Sequence, residues 1–274
     1  MTGSTDNVSR ETLPANMTII GVIGGVGPEA GLDFVRKIFS NTLAVKDQDH
    51  LNCMLVSCPS IIPDRTDFLL KGTEESENPA FGMFESARRL YLAGVNIAVV
   101  ACNTAHASRI FSPFCSMVRE SLPNLRIVNM LETCAAHVKD NLHINRLGLL
   151  ATKGTFKSKV YHEYFRKEDG FELIEPDKEG QEKIHQAIYN ETFGIKANSG
   201  KIPAEAIDSI NHEIIRLINR GAGAIILGCT ELPLAMAGQP PLPGAKGSLP
   251  IIDPGLITAR LIIEMTSPEK LKNN

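Results

Sequence analysis

The sequence predicts an α/β protein built from two similar Rossmann-like parallel sheets, with the functional site in the cleft between them. Three observations predict it. About eight short Val/Ile/Leu-rich runs are continuously apolar rather than alternating, the pattern of strands buried on both faces. Between almost all of them lie stretches with apolar residues at helical spacing. A helix, glycine, strand, cysteine unit then occurs twice, at residues 94–102 and 221–229, with Gly94 and Gly221 each eight residues ahead of Cys102 and Cys229.

The first strand is expected over residues 18–23, a β-branched run ending in Gly24-Gly25-Val26-Gly27-Pro28. Pro28 suits the first helical position, and Leu32, Val35, Ile38 and Phe39 continue a helix to about residue 42. A strand over 53–57 leads into a loop with Pro59 and Pro63, followed by a helix over 79–93 with Met83, Ala87, Leu90 and Tyr91 on one face. Further strands are expected at 96–101, 125–128, 146–151, 171–174, 224–227 and 250–252. A helix over 254–265 is expected to return to the first half. The division this implies is 17–129 plus 252–274 for one domain and 130–251 for the other, after a flexible tail at 1–16. The Pro- and Gly-rich stretch 237–249 is expected to be a surface loop, placed to gate a cleft if it lies over one.

Composition narrows the function classes. The chain has 274 residues, 43% hydrophobic and 22% charged, with a net charge of -3, which is that of a soluble globular protein. Lys+Arg 28 against Asp+Glu 31 leaves no basic excess for a nucleic-acid surface. No window approaches the roughly 18 apolar residues of a membrane helix. The polar first 16 residues do not read as a secretory signal, so the expected location is cytoplasmic. Six cysteines without a CxxC pair or zinc-type spacing indicate neither a disulfide scaffold nor a metal site.

The repeated unit carries the chemistry. Both cysteines should stand at strand carboxyl ends, where ligands of open α/β sheets bind and a following helix N-terminus favours thiolate. Two such strand ends facing each other would bring Cys102 and Cys229 to opposite sides of a ligand. At a reactive contact of about 3.5 Å on each side of a carbon, the sulfurs would lie roughly 7 Å apart. One thiol as base and one as acid can take a proton from one face of a carbon and return one to the other, which is racemisation without a cofactor.

Four segments resemble the aspartate/glutamate racemase family, its aspartate racemase branch in particular: Ile23-Gly24-Gly25-Val26-Gly27-Pro28, Pro63-Asp64-Arg65-Thr66, Ala101-Cys102-Asn103-Thr104-Ala105-His106 and Gly228-Cys229-Thr230-Glu231-Leu232-Pro233. The glutamate branch typically differs at His106 and carries His after the second Cys-Thr. The resemblance implies pyridoxal-phosphate-independent racemisation between two α/β domains, commonly in a homodimer. It implies Cys102 and Cys229 as the acid/base pair, and Asn103, Thr104 and Thr230 as holders of the α-carboxylate or amino group, with Ala105 and Glu231 beside them. It makes Arg65 and Lys196 the cationic contacts for a dicarboxylic amino acid. Val26 where the family usually has methionine, the isoleucine pair before Pro63 and the 237–249 loop depart from the pattern, and each bears on the side-chain pocket.

Other readings stand beside this one. Gly25-x-Gly27-x-x-Ala30 fits a relaxed dinucleotide fingerprint, but no acidic residue ends the second strand. His106 would either tune Cys102 from one helical turn away or be a helix residue satisfied by backbone. Thr152, Gly154 and Thr155 form a turn that could offer N–H groups to a carboxylate. Cys53, Cys58, Cys115 and Cys134 read as structural. Within the fold, a hydantoin racemase, maleate isomerase or related decarboxylase are alternatives; outside catalysis, an acidic amino-acid binding protein is.

Overall fold

A computed structural model describes residues 18–71, 74–237 and 249–273. The tail expected at 1–16 and nearly all of the 237–249 loop lie outside the described residues. Eight strands form two four-stranded sheets. The first contains β1 (Ile19–Gly24), β2 (Asn52–Ser57), β3 (Ile97–Val100) and β4 (Arg126–Val128). The second contains β5 (Arg146–Ala151), β6 (Glu172–Ile174), β7 (Ala224–Gly228) and β8 (Ile251–Ile252). Their orders, β2-β1-β3-β4 and β6-β5-β7-β8, are the same, and every pairing is parallel. The two-sheet α/β architecture read from the sequence is the one observed; no strand end differs from expectation by more than one residue.

Eleven α-helices surround the sheets among the described residues: α1 (Pro28–Ser40), α2 (Arg65–Lys71), α3 (Pro79–Leu92), α4 (Ser108–Ser121), α5 (Met130–His137), α6 (Lys153–Ser158), α7 (Val160–Tyr164), α8 (Lys178–Tyr189), α9 (Ala204–Asn219), α10 (Leu232–Met236) and α11 (Pro254–Thr266). Arg65, expected on a loop, instead opens α2. Each sheet is covered on both faces, which is why its central strands are apolar throughout. In the first, Ile23, Ala98 and Val100 pack with Met83 and Leu90 of α3 and Phe114 of α4, and Ile20, Val22 and Val99 pack with Phe34 and Ile38 of α1. In the second, Leu147, Leu149 and Ile226 face Leu131 and Tyr161, and Leu150, Ile225 and Leu227 face Ile184, Ile214 and Leu217.

Helix α11 follows the last strand of the second sheet, yet Ala259, Ile262 and Ile263 are buried in the same cluster as Ile20 and Val22 of the first. Asp253 caps its N-terminus by accepting from the Gly255 and Leu256 N–H groups, and Lys37 of α1 bridges Asp253 and Asp33 at 2.6 Å each. The chain therefore crosses between the two sheets twice.

The repeated unit is repeated in its hydrogen bonds. After α3, Gly94 has φ +89° and donates to Tyr91 O at 3.0 Å while Val95 donates to Leu90 O at 3.0 Å. After α9, Gly221 has φ +90° and donates to Ile218 O at 2.8 Å while Ala222 donates to Leu217 O at 3.1 Å. This is the paired-bond helix terminator that needs a left-handed residue, which glycine adopts without a Cβ clash. It turns each helix directly into the strand that ends at a cysteine. A Cβ on Gly94 would touch nothing within 4 Å, so Gly94→Ala isolates the backbone cost. We expect a loss of about 1 kcal/mol, read as a lowered urea midpoint with an unchanged slope.

Candidate active site

Parallel pairing brings the carboxyl ends of β1 and β3 together in one sheet and of β5 and β7 in the other, and the residues just beyond these ends line one cavity of about 10 Å³. Cys102, Asn103 and Thr104 reach it from beyond β3, Cys229, Thr230 and Glu231 from beyond β7, Val26 from the glycine turn after β1, and Thr152 from the cap after β5. Arg65, Tyr189 and Lys196 complete the wall. The sequence named all of these but Tyr189 in connection with the site, Val26 as a departure that bears on the side-chain pocket. Ala105 is the exception in the other direction: it is fully buried in the core of the first sheet and does not line the cavity. In its short turn over Thr104–His106 the side chain points to the packing side, which a sequence motif does not reveal.

Both thiols are buried. Cys229 donates its S–H to Glu231 Oε2 at 2.9 Å, and Lys196 Nζ donates to Glu231 Oε1 at 2.7 Å. The thiol is pushed well above its ordinary range by burial and by the Glu231 carboxylate, against the pull of Lys196. This corrects the thiolate expected at a helix N-terminus. Helix α10 is only five residues long and Glu231, not a free set of N–H groups, stands at its entrance. Burial opposes the charges of Lys196 and Glu231, but each holds the other ionised: the ammonium pKa is raised and the carboxyl pKa lowered.

Arg65 is 6% exposed, with Nη2 donating to Val26 O at 2.6 Å and Nη1 to Pro63 O at 3.2 Å. Two backbone carbonyls thus fix the plane of the guanidinium. Its Nε and the Nδ2 of Asn103 are buried donors without a hydrogen-bond partner among the described residues. Tyr161 donates to Asn103 Oδ1 at 2.7 Å, so the amide of a residue after β3 is oriented by a helix of the other half. Unpaired buried donors are costly, and two of them at one cavity mark where an anionic or carbonyl oxygen is accepted. Thr104, Thr152, Thr155 and Thr66 share hydroxyl contacts of 2.8 to 3.3 Å, and Tyr189 bonds Asp64 at 3.0 Å, so these links also join the two halves around the cavity. The arrangement brings two thiols, two unpaired donors, a guanidinium and an ammonium to one small, largely buried cavity.

A sequence profile of the Asp/Glu/hydantoin racemase family matches residues 23–262. The chain belongs to that family. A broad-specificity amino-acid racemase of Bacillus subtilis is 25% identical over 88% of this chain and 95% of its own. An aspartate racemase of Picrophilus torridus superposes with a TM-score of 0.74 at 26% identity, covering 93% of this chain and 96% of that one. An aspartate racemase homologue of Pyrococcus horikoshii gives 0.65 at 25% identity over 92% and 100%. Membership makes the chain an isomerase of the racemase type.

Within this family member His106 resolves in favour of backbone satisfaction. Its Nδ1 lies 2.8 Å from Cys102 O and its Nε2 accepts from Met130 N–H at 3.2 Å, which assigns the proton to Nδ1. The ring does not bond the thiol; it ties the turn carrying Cys102 to the start of α5. The Thr152 turn also serves the fold: its hydroxyl caps α6 at Thr155 N–H, and Thr66 packs where a Cβ on Gly154 would fall. Tyr161 and Tyr189 lie in helices with no motif around them, and only their hydroxyls within otherwise apolar helix faces signalled a polar task.

Burial depresses the His106 pKa from 6.5 to about 4, so the folded ring stays neutral while the unfolded one protonates. Stability from this group is complete above pH 6.5 and is lost as pH falls toward 4. The expected slope is about 1.4 kcal/mol per pH unit in that window. His106→Gln, which cannot titrate, should flatten the urea-derived stability profile by that amount relative to wild type.

Proposed function

We propose that the protein is a pyridoxal-phosphate-independent racemase that interconverts L- and D-aspartate, with glutamate or a broader set of amino acids as the next candidates, using Cys102 and Cys229 as the acid/base pair. One observation carries the proposal: thiols from beyond topologically equivalent strands, β3 and β7, line one small cavity together with a guanidinium and an ammonium. In this scheme one thiolate takes the α-proton while the thiol on the other side supplies a proton to the opposite face. The roles exchange for the reverse reaction. Arg65 offers Nε and its fixed plane to one carboxylate, which stabilises the charge spreading from the α-carbon as the proton leaves. Asn103 Nδ2 and the Thr104 and Thr230 hydroxyls complete the holding of the α-carboxylate and amino groups, and Lys196 with Glu231 faces the side chain.

The charges support a dicarboxylic amino acid. Arg65 and Lys196 give the walls two cationic groups, one for each carboxylate of aspartate, and their charges are balanced by Glu231 and by the one thiolate that the scheme requires. A cavity of about 10 Å³ has room for roughly one water, so the bonds joining the halves, Tyr161 to Asn103 and Tyr189 to Asp64, must part to admit substrate and reform around it. Closure then excludes water while the carbanionic species exists.

The test is proton NMR of L-aspartate, L-glutamate and a panel of amino acids in D2O, with chiral analysis and no added pyridoxal phosphate. Wild type should erase the Cα proton signal of its substrate and generate the D isomer. Cys102→Ser and Cys229→Ser should each lower racemisation by about 10²- to 10⁴-fold. Absence of exchange with every amino acid overturns the racemase reading and favours the isomerase or decarboxylase alternatives.

A further inference from the structure

Glu231 is a wall shared by two cavities. One is the reactive cavity, where its Oε2 accepts from the Cys229 thiol at 2.9 Å. The other, of about 110 Å³, lies between Gly27, Pro28 and Glu29 at the start of α1, the Ile195–Ser199 turn and Leu234. Lys196 lines both cavities as well and pairs with the second carboxylate oxygen, Oε1. Gly27 closes tightly on that same oxygen: a Cβ there would fall 2.2 Å from Oε1. The carboxylate thus faces a buried thiol on one side and, on the other, a space large enough for several waters with Glu29 and Ser199 on its wall.

We propose that Glu231 is the proton relay between Cys229 and solvent, resetting the ionisation of that thiol between turnovers. The inference rests on the two-thiol reading above and gives it a missing step. A two-base racemase leaves each turnover with its acid and base exchanged, so a substrate of the same hand can be processed again only after the free enzyme has moved a proton off one thiol and onto the other. In the closed form Cys229 is buried and its S–H points at Glu231, so its route to water there is the carboxylate. The S–H bond breaks as an O–H bond forms at Oε2, leaving thiolate and carboxylic acid. A half-turn of the carboxyl group carries the proton toward the second cavity, where a water takes it and the carboxylate is restored. The reverse sequence reprotonates the thiol. Lys196 holds the group at rest as carboxylate, which keeps the relay ready to accept.

A relay of this kind acts on the free enzyme, so it limits turnover at high substrate and not capture at low substrate. The experiment uses wild type, Glu231→Gln and Glu231→Ala with the substrate identified by NMR, under initial-rate conditions in both directions. Glu231→Gln keeps the shape and cannot relay; we expect kcat to fall by tenfold or more and, in tracer-perturbation runs at saturating substrate, the interconversion of the two free-enzyme forms to slow by at least tenfold, a readout that loss of a substrate contact does not move. In Glu231→Ala, formate added as the probe has room in the vacated space and should restore at least half of the lost kcat in a saturable manner, while chloride at equal ionic strength should not. An unchanged rate of free-form interconversion, together with no formate rescue in a variant whose melting temperature is that of wild type, overturns the relay. Wild type that racemises nothing overturns the two-thiol reading itself, an outcome the variants do not influence.

Discussion

Parallel strand pairing sends all the carboxyl ends of a sheet to one edge, and the site exists because two such edges meet. Neither sheet lines the cavity alone. The first supplies Cys102, Asn103 and Thr104 beyond β3, and the second supplies Cys229, Thr230 and Glu231 beyond β7. The same glycine-terminated helix feeds each of these strands, so the two cysteines arrive in equivalent backbone settings from sequences that share an Arg-Leu pair, the glycine, the apolar run and the thiol. What differs is the next residue's chemistry. After Cys102 the chain offers a neutral amide; after Cys229 it offers, one residue further on, a carboxylate. Backbone equivalence with electrostatic inequivalence lets one scaffold hold one thiol as a strong proton holder opposite another.

Burying three charges beside two thiols is costly unless the charges satisfy one another. Here Lys196 and Glu231 form a direct pair, and Arg65 is supported by the carbonyls of Val26 and Pro63. The remaining deficit sits in two donors, Arg65 Nε and Asn103 Nδ2. Such a deficit is a reservoir of binding energy: a ligand that satisfies both donors regains what folding left unmade. The neutral, fully buried His106 adds no charge to this balance, and its two bonds to backbone spare the turn below Cys102 from orphaned groups.

Much of this was legible in the sequence because it is written in local patterns. Buried strands read as Val/Ile/Leu runs, the two terminators read as Gly94 and Gly221, and the cysteines read as strand ends because each closes such a run. Arg65, Lys196 and Glu231 could be nominated by resemblance of their motifs. What escaped were facts set by tertiary contact. The burial of Cys229, together with its pairing to Glu231 through a rotamer two residues away, reversed the expected acidity of that thiol. Ala105 and Asn103 sit in the same five-residue stretch, yet one faces the core and the other the cavity, a division that a short turn hides from any periodicity. Tyr161 orients the cavity amide of Asn103 from 58 residues away, and Tyr189, itself in the cavity wall, bonds Asp64 from 125 residues away, distances over which sequence carries no signal.

The double crossing of the chain has a mechanical consequence. A pair of lobes joined by one peptide can swing and twist about many axes. Here the path leaves the first sheet between β4 and α5 and returns between β8 and α11, and α11 is locked into the first core by Ile262 and Ile263. Two attachments define a line, and rotation about that line is the soft degree of freedom that remains. Lobes constrained in this way part like a book held at its spine, so that groups on facing pages separate together and return to the same register each time.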